Sequence, residues 1–195
     1  MRHKAVATSL ALALCACAQV PTTPRAESVP DQIKAGANES VAMSVVARGV
    51  QIYECRASKD PAAAEWVLVA PEADLFDAVS GRPAGKHYGG PRWESPDGSR
   101  IAGTARARVD APQAGAIPWL LLTAKSEGGE GVFSKISSVQ RVDTAGGAAP
   151  DAGCSPSSLG TVARVPYTAT YRFLAARSDP TSPYAASPRG NDGGY

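Results

Sequence analysis

The strongest constraint on the fold is an apolar pattern of period two, punctuated by glycine and proline about every eight to twelve residues, the spacing of an all-β sandwich or barrel. From Ser99 to Val109, Ile101, Gly103, Ala105, Ala107 and Val109 fall on one face, and Arg100, Thr104, Arg106 and Arg108 fall on the other. Val165, Tyr167, Ala169, Tyr171 and Phe173 alternate in the same way with Thr168, Thr170 and Arg172. VAMSVVARGVQIYECR reads as two short strands broken at Arg48-Gly49, and EWVLVA as another. IPWLLLTAKS, apolar almost throughout, suits a central strand with Pro118 near its start, where no ladder donor is needed. No long helical stripe interrupts this pattern. The expectation is a compact antiparallel β-sandwich or barrel with one long Gly/Pro-rich loop, Thr144 to Gly160.

The N-terminus is an export signal: Arg2, His3 and Lys4 precede an apolar stretch, Ala5 to Ala16, too short to span a bilayer. Leu14-Cys15-Ala16-Cys17 resembles a bacterial lipobox, with Cys17 as the lipidated residue, while Ala16-Cys17-Ala18 also fits ordinary signal peptidase. The lipobox is favoured, because a cysteine at this place has little other use. Alanine after Cys17 resembles lipoproteins sorted to the outer membrane of diderm bacteria; the alternative is a soluble secreted protein. The expected organisation is signal peptide 1–17, flexible tether 18–29, one β-rich domain 30–177 and a disordered tail 178–195, whose few apolar side chains cannot offset the entropy of ordering it.

Processing simplifies both the charge and the cysteines. Losing Arg2 and Lys4 brings the 20 Lys and Arg down to 18, equal to the Asp and Glu. A nucleic-acid binder usually carries a basic excess, and none remains, so nucleic acid is excluded as a partner. Cys15 leaves with the signal and Cys17 takes the lipid, which leaves Cys55 and Cys154 to pair in an oxidising compartment. Neither belongs to a CxxC redox motif.

The stretch GKHYGGPRWESPDGSR, from Gly85 to Arg100, carries the one histidine of the mature chain. Pro96-Asp97-Gly98-Ser99 is hairpin-turn chemistry, and Gly89-Gly90-Pro91 bends the chain before it. Candidate ligand-binding residues gather here: His87, Tyr88, Trp93, Glu94, Asp97 and Arg100. Trp93 and Glu94 must point to opposite faces of their strand, so His87 need not meet both. Trp66 and Trp119 are further aromatic candidates, although large rings ordinarily pack in β cores. The row Arg100, Arg106 and Arg108 can hold an anion or simply face water.

GVQIYEC, W-x-L-x-APEADLFDA, GKHYGGPRWE, DGSR, IPWLLL, QRVDTAGGAAP-x-x-GC and VPYTATYRF occur here in this order, roughly from Pro30 to Phe173. The chain thereby resembles an uncharacterised family of exported bacterial and fungal proteins, classed as a domain of unknown function. The resemblance implies no substrate and no catalytic residue.

Three functional classes remain. A Ser-His-Asp hydrolase would use His87 with Glu94 or Asp97, yet there is no G-x-S-x-G elbow. One histidine and a bridged cysteine pair cannot make a zinc site, and GRPAGK lacks the Ser/Thr and βαβ setting of a phosphate loop. Glu94, Asp97 and Asp74 are available to calcium but ordinarily serve turns and surfaces, as does the Glu94/Asp97 pair offered for glycoside hydrolysis. No metal or cofactor is expected. The favoured class is a lipid-anchored envelope protein whose β-domain binds a small ligand, a glycan or an envelope partner; the last is a structural protein with no small-molecule site. Mass spectrometry of the mature N-terminus is expected to find a diacylglyceryl Cys17, and a free N-terminus at Gln19 would reject it.

Overall fold

The computed structural model describes residues 28–60 and 62–177, so the signal, Cys17, most of the tether and the tail lie outside it. Eight strands follow one another: β1 Glu39–Ala57, β2 Ala64–Asp77, β3 Pro83–Tyr88, β4 Arg92–Glu94, β5 Arg100–Val109, β6 Trp119–Gly128, β7 Ile136–Gly146 and β8 Val162–Ala176. Each pairs antiparallel with the next, and β1 returns to β8, so the sheet closes into a barrel.

Period two decides which side chains enter this barrel. Along β1, Val45, Ala47, Gln51, Tyr53 and Cys55 are buried at alternate positions, and Arg48 between them is exposed. β1 is continuous where a break at Arg48-Gly49 was expected. Gly49 serves close approach: a Cβ there would overlap the carbonyl oxygen of Glu72 and the Cα of Ala73 on β2. On β8, Tyr167, Ala169, Tyr171 and Phe173 are buried as the alternation requires. Arg48, Glu72, Asp74, Lys86, Arg100, Arg106 and Lys125 are exposed on the strands. An apolar interior inside such a charged wall is the reverse of a lipid-facing barrel.

The strand Trp119–Gly128 is apolar on both faces because both are covered. Leu122 joins the interior with Phe133, Val139 and Phe173. Trp119 and Leu121 face outward, where Val142, Leu174 and the buried Ile33 meet them. Ile33 comes from a short 3-10 turn, Asp31–Ile33, laid over the outside of the wall and pinned by Gln140 Nε2, which donates to the Ile33 carbonyl at 2.6 Å.

A bulge between Ala105 and Ala107 redirects the end of β5. Beyond it Ala107 and Val109 pack outward on the Trp119 cluster, and Arg108 turns to the mouth of the barrel. The expected row of Arg100, Arg106 and Arg108 is therefore split, and Ala107 and Val109 leave the face of Ile101.

The wall is incomplete on one side. β2 pairs with β3 only from Ala73 to Phe76, and β4 meets β5 only from Arg92 to Glu94. Residues 64–72 of β2 and 104–109 of β5 thus have no strand between them, and the turn at Gly89-Gly90-Pro91 forms the sill of the opening.

The end of β1 and the loop before β8, far apart in the sequence, are tied together. Cys55 is bonded to Cys154, with Cα atoms 5.3 Å apart across a separation of 99 residues. The long loop is 147–161, shorter than expected, because Thr144 to Gly146 continue β7 through a bulge. Trp66 Nε1 donates to the Ala152 carbonyl at 3.0 Å and holds this loop against β2. In the chain-entropy account, a bridge closing a loop of this length contributes about 4–5 kcal/mol. Reductant is therefore expected to lower the unfolding free energy by roughly that amount; an unchanged denaturant midpoint would show that the bridge contributes nothing.

Candidate functional site

Large rings fill the lower barrel and smaller side chains line the upper part, so a cavity of about 900 Å³ remains behind the gap in the wall. Its floor is a layer of three rings supplied by alternation on three strands. His87 on β3 and Trp93 on β4 are cross-strand partners, stacked with centroids 4.5 Å apart and planes 11° from parallel. Tyr171 of β8 meets His87 edge-on at 4.9 Å and Trp93 at 5.4 Å. Gly103 makes room for this layer, since a Cβ there would press into the Trp93 ring.

The cavity walls are mixed. Gln51 and Tyr53 come from β1, Leu120 and Leu122 from β6, and Arg141 from β7, directly across the ladder from Tyr171. Trp66, Leu68, Val69, Ala70 and Pro71 form one rim of the gap; Ala105, Arg108 and the loop 110–118 form the other. That loop is fastened by Thr144 Oγ1, which donates to the Ile117 carbonyl at 2.6 Å, and by Ile117 N–H, which donates to Gly146 at 2.9 Å.

His87 is 2% exposed. Its Nδ1 lies 2.7 Å from the Arg92 carbonyl, which can only accept, so Nδ1 carries the proton and Nε2 is left as an acceptor. Burial lowers its pKa to about 4, against the bond to the Arg92 carbonyl and with help from the charge of Arg141. The ring is neutral at pH 7. Burial likewise pushes the Tyr53, Tyr167 and Tyr171 phenols up, and Arg141 opposes the shift at each.

Several of these polar groups have too few partners. Tyr53 donates to the Gly147 carbonyl at 2.6 Å, and Arg141 Nε donates to the Pro118 carbonyl at 3.0 Å. The Gln51 Nε2, Trp93 Nε1 and Tyr171 hydroxyl are buried with no partner at hydrogen-bond geometry. Tyr171 has Tyr167 and Arg141 as polar neighbours, yet neither is aligned to bond it. Arg141 enters none of the ion pairs among the described residues.

The candidates drawn from the Gly85 to Arg100 stretch divide between two faces. His87 and Trp93 line the cavity. Lys86, Glu94 and Arg100 are paired in register across β3, β4 and β5 on the outer face, beside Tyr88, whose hydroxyl donates to Glu94 Oε2 at 2.8 Å. Asp97 closes the hairpin turn: it accepts from the Ser99 hydroxyl at 2.7 Å, the Ser99 amide at 2.9 Å and the Val132 amide at 2.8 Å. These bonds, the Ser99 hydroxyl foremost, hold its carboxyl well below the usual carboxylate range. Neither Glu94 nor Asp97 bonds to His87, so the hydrolase pairing is not assembled here. Among the described residues, no group of three His, Cys, Asp or Glu is placed to hold a metal ion.

Gln51, Tyr53, Arg141 and Tyr171 were not among the expected site residues. Gln51 carried a signal: in the alternation Val45, Ala47, Gly49, Gln51, Tyr53 it is a polar residue on the buried face. Arg141 carried none, because its direction depends on the register of β7 against β8.

Residues 36–175 match the family described as Protein of unknown function (DUF3455). No curated protein and no solved structure matches the chain.

The histidine makes stability depend on pH in a calculable direction. An unfolded chain takes up a proton on His87 near pH 6.5, whereas the folded protein resists until about pH 4. Its contribution is thus fully present above about pH 6.5 and is lost, by on the order of 3 kcal/mol, as pH falls toward 4. His87→Gln is expected to remove this part of the slope, read as the difference between variant and wild type in denaturant unfolding at pH 4.5 and pH 7.5. Parallel slopes would refute the assignment; the carboxylates Asp77 and Asp97 act in both proteins alike.

Proposed function

The chain belongs to this family of unknown function, and we propose that it is an exported, lipid-anchored barrel that takes up one small, largely apolar molecule in the cell envelope. The observation that carries this reading is the cavity of about 900 Å³ reached through the gap between β2 and β5, a size within the usual range for small-molecule sites. An eight-stranded barrel is wide enough to hold one such ligand when its inward residues leave room. Leu68 and Val69, 51% and 48% exposed, line the rim, where an arriving apolar molecule buries them. The signal with its lipobox at Cys17 supports the envelope location, and the Cys55–Cys154 bridge agrees with an oxidising compartment.

Binding fits the site better than catalysis does. A neutral histidine with no nucleophile or carboxylate bonded to it has nothing to activate. A second reading, capture of an envelope protein's strand, is favoured by one feature: residues 64–72 of β2 lack a neighbour on the gap side.

N-phenyl-1-naphthylamine, an uncharged probe that fluoresces in apolar surroundings, is expected to bind with a stoichiometry of about one. Ala105 lines the cavity and is itself exposed, so Ala105→Trp fills the space without displacing a core residue. This variant is expected to weaken probe binding about fivefold or more while leaving Tm unchanged. Probe binding that ignores Ala105→Trp would place the probe elsewhere and refute the reading.

A further inference from the structure

The polar groups of the cavity carry more donors than acceptors, His87 Nε2 and the rim carboxylate of Asp110 being acceptors among them. Arg141 is half-buried on β7, bonded through Nε to a carbonyl and free of any ion pair among the described residues. Near it, Gln51 Nε2 and the Tyr167 and Tyr171 hydroxyls lie close to one another with no partner at hydrogen-bond geometry, and Trp93 Nε1 beside Tyr171 is a further buried donor without one. Leaving such groups unmatched is costly, and leaving a guanidinium without an anion more so. At the rim Arg108 and Asp110 are both exposed and offset each other, so Arg141 supplies the net charge of the cavity.

We propose that the ligand is an amphipathic monocarboxylate, its carboxylate held by Arg141 with Tyr171 and Gln51 and its apolar body lying toward the rim of Leu68, Val69 and Pro71. This inference rests on the small-molecule reading above. A carboxylate accepts hydrogen bonds and donates none, which matches a set of donors, and a guanidinium meets it in two parallel bonds. One cation neutralises one negative charge. A phosphate monoester, carrying close to two, would leave charge uncompensated in a site walled by alanine and leucine. An uncharged amphiphile would leave Arg141 without a counter-ion. The apolar rim of Leu68, Val69 and Pro71 lies at the gap and Arg141 lies away from it on β7, so the charged end goes in first.

The test displaces N-phenyl-1-naphthylamine with decanoate and with decanol, which share a chain and differ in charge, on the full domain. On wild type, decanoate is expected to displace the probe about tenfold better than decanol, a difference typical of one charge-assisted pair. Arg141→Met is expected to abolish that advantage, read as the ratio of decanoate to decanol displacement within each protein, and Arg141→Lys to retain most of it. Equal displacement by the two compounds on wild type overturns the assignment even if the methionine variant fails to fold, and so does an advantage that survives in Arg141→Met. The two readings fail differently. No uptake of the probe removes the cavity reading and this inference with it, whereas uptake with no preference for decanoate removes the monocarboxylate alone.

Discussion

The ladder between β1 and β8 is the contact on which the architecture depends. These are the longest strands, 19 and 15 residues, and their pairing runs from Glu39–Ala176 to Glu54–Val162. Closing a sheet this way turns one face of every strand into a shared interior of fixed width, whose contents follow from the size of the inward residues. Toward one end these are Phe133, Val139, Phe173 and Trp93, which fill it. Toward the other they include Gln51 and Ala105, which do not. The same closure makes short strands consequential: β3 and β4 span only the filled part, and the unfilled part opens sideways to solvent.

The layer of His87, Trp93 and Tyr171 lies where these regimes meet. Stacking and edge contacts let three polar-tipped rings seal the core beneath them, with the Arg92 carbonyl satisfying one ring nitrogen. The cost is that the tips are desolvated: the imidazole is held neutral, and two donors, Trp93 Nε1 and the Tyr171 hydroxyl, are buried without a partner. A barrel built only for stability would put leucine or phenylalanine at such positions. Retaining donors around one unpaired guanidinium leaves unmet polarity at the cavity, where a ligand can meet it.

Much of the fold was legible because alternation reports directly on a closed antiparallel sheet. The faces of β1 and β8, the turn at Pro96 to Ser99 and the pairing of Cys55 with Cys154 all follow from local patterns or from counting. What misled was also local. Gly49 has the look of a break, yet it admits the backbone of β2 at close range. The Arg100, Arg106 and Arg108 row looked like one face, yet a bulge at Ala105 to Ala107 adds a residue and reverses every side chain beyond it. A bulge of this kind leaves no distinctive residue behind. The Trp119 strand looked central for the right reason, burial on both faces, although its outer cover is the segment around Ile33 rather than a second sheet.

Within the site the division is sharper. The period of two already placed Trp93 opposite Glu94, and hence His87 apart from the carboxylates, once β3 and β4 are paired. The sequence by itself determined the class of fold, the inward set of each unbulged strand, the hairpin and the disulfide, because these depend on neighbours in the chain or on a process of elimination. Only the tertiary structure decided that the sheet closes as a barrel, that its wall is missing between β2 and β5, and that Gln51, Arg141 and Tyr171 converge on one cavity. Those outcomes depend on strand register and length across pairings 21 to 39 residues apart between β7 and β8 and 108 to 137 apart between β1 and β8, which no local pattern encodes.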